Sequence, residues 1–348
     1  MKKKIFLGAY INNINAQNIN CLSLAKHLDK NKFEVYSLTL HNGDKVNIDI
    51  KLFKCFYPFY FSKIIGFLWG IINCDIAYYP KHVSTPKWVL IITKLLGKKM
   101  FTTIEINMCD LSKERTMINA FGSEKKLVSH FKYFSNIFPI TKYILDNASC
   151  GVKLANKILY LGVEKDNFSA EIKNELKNIV FVGSLIREKN IDEFCYLSKI
   201  FPNLNFHIIG YGPLMNELKE MSSSNVIFYG LLRHDQLPFI LGKMDLHVLL
   251  SRSEGFPKVI LETASAGIPS IVYGDYGAAE WITNNENGFV LSRKEEVVEK
   301  ILELIKDPNL LISNSKEAVK LSHRFDWNTI INDWEEVINN FYPNLIEK

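Results

Sequence analysis

Two carboxylates eight positions apart, Glu254 and Glu262, are the residues whose type and spacing most directly suggest chemistry. Glu254 opens the run Glu254-Gly255-Phe256-Pro257, and residues 258–266 read as a helix stopped by Gly267. One carboxylate thus stands before the helix and the other on its second turn. Apolar runs at 246–250 and 269–273 flank the segment and suit buried strands. Strand, turn, helix, Gly stop and strand make one βαβ unit of a parallel sheet. In such a sheet ligands sit at the carboxyl ends of the strands, against helix N-termini. Gly255 lets a ligand approach the backbone, and unbonded N–H groups at the helix start suit a phosphate. Glu254 would then accept hydrogen bonds from a sugar and Glu262 from a ribose. A capping Glu and a surface Glu would have the same spacing, so spacing alone leaves both uses open.

The wider pattern adds to this. Glu254, Gly255, Phe256, Glu262, Ala266, Gly267 and Pro269 fall in order, followed by Gly277, Glu280, Asn287 and Gly288. The run resembles the donor-binding segment of retaining glycosyltransferases of the GT-B fold, specifically family 4. Its marks are a Glu-x7-Glu pair, a small-residue helix ending Ala-x-Gly-x-Pro, and a later Gly-x-x-Glu. The resemblance implies an α/β protein with two Rossmann-like domains facing a central cleft and a C-terminal helix crossing back to the first domain. It also implies that the helix start at Pro257, Lys258 and Val259 faces a donor diphosphate.

Upstream, the family pattern Gly-Arg-Leu-x-x-x-Lys-Gly falls on residues 183–190. Gly183 and Lys189 keep their places, and Ser184 stands where the pattern has Arg. Arg187, two residues before Lys189, offers a guanidinium from another direction. The chemical need is plain: a departing nucleoside diphosphate gathers negative charge, and fixed cations stabilise it. Gly210, in Gly210-Tyr211-Gly212-Pro213, matches a donor-side turn. Gly230 and Leu231 close a strand that by resemblance lies against the nucleobase. In the first domain, strand 100–106 carries Glu105 where the family commonly has a His beside the reacting centre. A carboxylate there would set a different substrate, or be an ordinary strand-end Glu.

These residues need elements to hold them. The expected first domain, 1–165, binds acceptor and begins with strand 4–11, an Asn-rich loop 12–20, helix 21–28 and strand 33–40. Asn12, Asn13, Asn15 and Asn18 occupy the place of the family's Gly-rich loop. Strands at 75–79 and 137–140 and a helix at 88–96 complete it. The expected second domain, 166–327, binds the nucleotide sugar on strands 178–183, 205–210 and 226–230. Helices follow at 236–243, 295–305 and 310–321, and the crossover segment is 328–348.

At 348 residues the chain suits two domains, and 47% hydrophobic residues exclude a disordered one. Residues 1–165 carry a net charge of +13 and residues 166–348 a net of −8. That split suggests a negative partner for the first half. No nucleic-acid recognition pattern is present, so an anionic membrane surface or a pyrophosphate-linked lipid fits better. Two stretches could lie in a bilayer interface: the aromatic run 51–72, which equally suits a core helix at 64–72, and 125–134, where Leu127, Phe131 and Phe134 share a face. The opening residues lack a signal pattern, and six scattered cysteines (21, 55, 74, 109, 150 and 195) suggest reduced thiols in a cytoplasmic protein. The expected protein is a hexosyltransferase acting on a nucleoside-diphosphate sugar and a glycan or lipid-linked acceptor, in bacterial surface polysaccharide synthesis. It needs no metal or cofactor and is peripheral at the inner face of the plasma membrane. Two other readings remain: a non-catalytic nucleotide-sugar-binding partner subunit and a GT-B nucleotide-sugar epimerase. Donor base, sugar and acceptor are not legible.

Overall fold

A computed structural model describes residues 2–13, 15–80, 83–109 and 116–341. Its contacts divide the chain into two units. The first is residues 1–161 with the C-terminal stretch from Trp327, and the second is Gly162–Asp326.

The first unit runs β1 (Lys3–Tyr10), α1 (Ala16–His27), β2 (Phe33–Thr39), β3 (Lys51–Lys54), α2 (Phe59–Asn73) and β4 (Ile76–Tyr78). It continues with α3 (Lys87–Leu95), β5 (Lys99–Ile104), α4 (Met117–Phe121), α5 (Glu124–Phe131), β6 (Asn136–Pro139) and α6 (Lys142–Asp146). The six strands form one parallel sheet in the order β3-β2-β1-β4-β5-β6. Central strands must be apolar on both faces, and Ile5, Phe6, Leu7, Ile76 and Ala77 are fully buried; β3, at the edge, is half exposed.

The second unit runs β7 (Asn178–Val182), α7 (Ile191–Ile200), β8 (Asn205–Ile209), α8 (Met215–Met221), β9 (Val226–Gly230) and α9 (Leu237–Leu241). Then follow β10 (Leu246–Leu249), α10 (Lys258–Ser265), β11 (Ser270–Tyr273), β12 (Gly288–Leu291), α11 (Lys294–Lys306) and α12 (Pro308–Arg324). Its parallel sheet has the order β12-β11-β10-β7-β8-β9. Counted from each unit's first strand, the two orders are the same doubly wound 3-2-1-4-5-6.

The last helix, α13 (Trp327–Asn340), packs within the first unit. Trp334 lies 5.4 Å from the Tyr78 ring and donates its indole N–H to Tyr160 O at 3.0 Å. Glu335 accepts from Asp29 N at 2.8 Å, fixing the helix on the chain leaving α1. Residues 342–348 of the expected crossover segment lie outside the described residues.

Four readings are corrected. The Asn-rich segment is not a long loop: α1 starts at Ala16, five residues early, because Asn15 caps it by accepting from Asn18 N at 3.1 Å. Strands β3 and β12 were missed, β3 because its sequence reads as part of an aromatic run. The cysteines are not all thiols, since Cys109 and Cys150 form a disulfide while Cys21, Cys55, Cys74 and Cys195 are free and buried. Within 125–134 the apolar face is core, with Leu127, Phe131 and Phe134 all buried, so it offers nothing to a bilayer.

Candidate functional site

The second sheet reverses its winding between β7 and β10, which lie side by side with Ile179 opposite Leu246. Such a junction leaves a crevice beyond the carboxyl ends of the two strands. The chain leaving β7 passes Gly183 and the exposed Ser184 and reaches a 3-10 turn, Arg187–Lys189. The chain leaving β10 passes Ser251 and Glu254 and enters α10. These two segments are tied together. Asn190, in a left-handed conformation (φ 46°, ψ 40°), donates its amide to Leu250 O at 3.0 Å.

Across that tie the Lys189 ammonium donates to the Glu254 carboxylate. Their side chains are only 19% and 11% exposed, so little water screens the pair. Their positions along the chain suggest separate roles, and the fold makes them one charge pair. Arg187 shares the turn but is exposed and makes no ion pair among the described residues. Its guanidinium therefore keeps its charge available.

Helix α10 supplies the third component. Pro257 stands at its N-cap, where it has no side chain to cap the helix, and Ile260 N already bonds Pro257 O at 3.0 Å. Lys258 and Val259 form the first turn of α10, ahead of the first intrahelical bond at Ile260. One turn and a half further, Glu262 is 9% exposed. His234, in the turn before α9, donates Nε2–H to Glu262 Oε1 at 3.2 Å. His234 was not singled out from the sequence. Its only signal there was its place a few residues beyond Gly230.

Neighbouring loops form a backbone cradle. Gly210 N donates to Gly230 O and Gly183 N to Ile209 O, both at 2.9 Å. Gly210 has φ +147°, and a Cβ there would sit 1.8 Å from Gly183 O. A side chain is excluded by contact as well as by conformation. Gly230 also has positive φ, and Leu231 beyond it is 80% exposed. Phe256 turns inward: its ring lies 5.1 Å from Trp281 and 5.6 Å from Phe325, so it anchors the Gly255 turn from below.

Two buried hydroxyls beside this arrangement have no hydrogen-bond partner among the described residues, Ser251 Oγ and Tyr276 Oη. Ser251 follows β10 directly and is fully buried, while Tyr276, after β11, is 1% exposed. Burial pushes the Tyr276 phenol well above its usual range, and the carboxylates of Glu254 and Asp275 push it the same way. An unsatisfied buried hydroxyl is costly, and the spacing of the sequence marked neither residue.

Glu105 belongs to the first unit, so it is described separately. It follows the carboxyl end of β5, half buried, and accepts from Thr103 Oγ1 at 3.4 Å. Thr103 in turn lies 2.7 Å from Tyr78 Oη. Among the described residues no group of three or more His, Cys, Asp or Glu is arranged to hold a metal ion.

Comparison with known proteins follows the same division. Residues 162–321, nearly all of the second unit, match the family model described as Glycosyl transferases group 1. An uncharacterized glycosyltransferase of Haemophilus influenzae is 27% identical over 178 residues, 48% of this chain and 50% of that protein. The capsular polysaccharide biosynthesis glycosyltransferase CapM of Staphylococcus aureus is 26% identical over 271 residues, 73% of this chain and 61% of its own. The chain spans about half the length of the first of these relatives. The structure of Anabaena Alr3699/HepE in complex with UDP and glucose superposes with a TM-score of 0.75. It is 16% identical and covers 97% of this chain and 100% of that one, which establishes a shared fold, GT-B.

Proposed function

We propose that the protein is a retaining glycosyltransferase that moves a sugar from a nucleoside-diphosphate sugar to a glycan or lipid-linked acceptor. One observation carries this: at the switch point of the second sheet, Lys189, Glu254 and the uncapped start of α10 converge. A pyrophosphate needs N–H donors and a cation, and a sugar needs a carboxylate that accepts from its hydroxyls; this crevice offers both. Glu262, held by His234, is the acceptor for the ribose hydroxyls.

In the transfer, the bond between the anomeric carbon and the diphosphate oxygen breaks, and its electron pair leaves with the nucleoside diphosphate. A bond forms from the acceptor oxygen to the same face of the sugar, and the acceptor proton passes to the departing phosphate or to water. Lys189, Arg187 and the N–H groups of α10 oppose the charge that develops on the leaving group. Glu105 is the residue of the first unit that we assign to substrate contact. Capsular and cell-surface glycan synthesis is the setting suggested by the similarity to CapM.

Thermal-shift titration with UDP-, GDP- and ADP-sugars tests the reading, followed by transfer and donor-hydrolysis assays with the donor that stabilises. A protein that binds one nucleotide sugar but neither hydrolyses nor transfers it is the non-catalytic subunit, a reading that Ser184 in the place of a guanidinium favours. Stabilisation by none of them removes the proposal.

A further inference from the structure

The first unit carries a surface that its own core does not need. Between β3 and the second turn of α2, Tyr57 is 89% exposed, Tyr60 71% and Phe61 62%, with Phe56, Phe59 and Ile65 each near half. Isolated exposed aromatics are ordinary, but six large apolar side chains within ten residues are a patch.

The exposure follows from how α2 is seated. Ser62, Gly66 and Gly70 are spaced four apart and lie against the sheet, all three buried. A Cβ on Gly70 would meet the Phe6 ring at 2.3 Å, so the helix lies as close to β1 as a backbone can. Ser62 Oγ also accepts from Phe56 N at 2.7 Å, which fixes the segment entering the helix. With the small residues turned inward, Phe61 and Ile65 must point out. At the helix start, Phe59 lies 5.8 Å from Tyr10, the last residue of β1. The patch thus adjoins the carboxyl edge of the parallel sheet, the edge at which such sheets bind ligands.

Charge says what covers it. Residues 51–104 contain eight lysines and one acidic residue, Asp75. Lys51 and Lys54 lie on β3 just before the patch, both exposed, and Lys63 lies within it, half buried. A protein partner of mixed charge has no use for such an excess, whereas an anionic lipid surface takes aromatic rings at headgroup depth and lysines beside them. Among the described residues no helix is long and apolar enough to cross a membrane, so contact would be with the surface.

We propose that the segment from Phe56 to Ile65, with Lys51, Lys54 and Lys63, docks the first unit on an anionic bilayer. Docking there brings the carboxyl edge of the first sheet to the headgroups. This assigns the acceptor of the proposed transfer to the lipid-linked class, and in that respect rests on the proposed function. The bilayer contact itself does not.

Sedimentation of the full chain with vesicles tests it, using phosphatidylcholine alone or with phosphatidylglycerol added. Expected is binding that needs the anionic lipid and falls with salt. Replacing Tyr57, Tyr60 and Phe61 together by Ser should weaken it by about tenfold or more. Lys54→Gln and Lys63→Gln should each weaken it by roughly fivefold and flatten the salt dependence. Far-UV circular dichroism and nucleotide-sugar thermal shifts on the same samples should not change, since none of these residues lies in the second unit. Absence of binding at low salt, or binding indifferent to lipid charge, overturns the proposal. So does a wild-type dimer that the triple Ser variant dissociates, because a second copy would then cover the patch. Vesicle binding without any nucleotide-sugar response would leave the docking standing and remove the transferase reading instead.

Discussion

The Lys189–Glu254 pair allows the sharpest test, because stability and turnover should respond to it differently. Lys189→Met leaves the Glu254 carboxylate, 11% exposed, without its cation. Stranding one partner of a fully buried pair costs about 3–5 kcal/mol; allowing for the water that still reaches both side chains, we expect about 2–3 kcal/mol here. Glu254→Gln strands the ammonium and should cost about as much. The double variant strands neither charge, so its loss should fall short of the sum by about 2–3 kcal/mol or more. Urea titration of the four proteins measures this coupling. Catalysis should separate the two residues. Lys189→Met removes a cation from the leaving group and should lower the transfer rate on the order of 10²-fold or more. Glu254→Gln should also slow transfer by losing the sugar contact. Free nucleoside diphosphate, however, should bind Glu254→Gln as tightly as wild type or more so, since the ammonium no longer has a competing carboxylate. Equal losses of nucleotide affinity in both single variants would refute the division of roles. A coupling of zero would refute the pair itself.

Glu262→Ala should weaken nucleotide binding by about 1–3 kcal/mol, the scale of hydrogen bonds to a charged group, and calorimetric titration reads it directly. Arg187→Ala should slow transfer without destabilising the fold, because the side chain is exposed and makes no ion pair among the described residues; a wild-type rate would leave Lys189 as the sole side-chain cation. Tyr276→Phe removes a buried hydroxyl that has no partner among the described residues, so stability should hold or rise by about 1 kcal/mol while transfer falls roughly tenfold. Unchanged transfer would make Tyr276 a packing residue only. His247, fully buried, has its imidazole pushed down to about 3 by burial, from an ordinary 6.5. Its folded value is depressed, so the unfolded chain binds the extra proton: stability is full above about 6.5 and declines as pH falls towards 3. By about pH 5 the loss from this residue is about 2 kcal/mol, and His247→Asn should show a correspondingly flatter decline in urea titrations.

Where a local rule governed, the sequence could be read. The α10 unit was legible because a strand, an uncapped Pro turn, a helix and a following strand each leave a mark of their own. The last helix was legible because Trp334, Val337 and Ile338 repeat at the helical period, and all are buried. What could not be read depended on contacts far apart in sequence. The Lys189–Glu254 pair joins positions 65 apart, and only the adjacency of β7 and β10 brings them together. His234, beyond the edge strand β9, reaches Glu262 on α10 across 28 positions, although β9 and β10 are not neighbours in the sheet. Cys109 and Cys150 are 41 apart, and scattered spacing gave no hint of their pairing. Strand β3 escaped because an edge strand with both faces partly exposed has neither an alternating nor a continuous apolar pattern.

Under the proposed transfer, the same adjacency would let one turn serve a diphosphate without the guanidinium that the resemblance would place at Ser184. Lys189 and Glu254 cancel each other's formal charge, so the pair alone is no attraction for an anion. Attraction must come from what surrounds it: Arg187 on the same turn and the N-terminus of α10 at the other side of the tie. The turn that carries Arg187 is held in place, since Asn190 ends it in a left-handed conformation and is anchored on Leu250 O. A flexible side chain on a fixed turn can follow the charge as the leaving group moves off, which a residue at position 184, next to the strand end, could not do as easily. An arriving diphosphate would then draw Lys189 from Glu254 and release the carboxylate for the sugar. Donor binding and the arming of Glu254 become one event, and loss of either member of the pair should abolish that linkage.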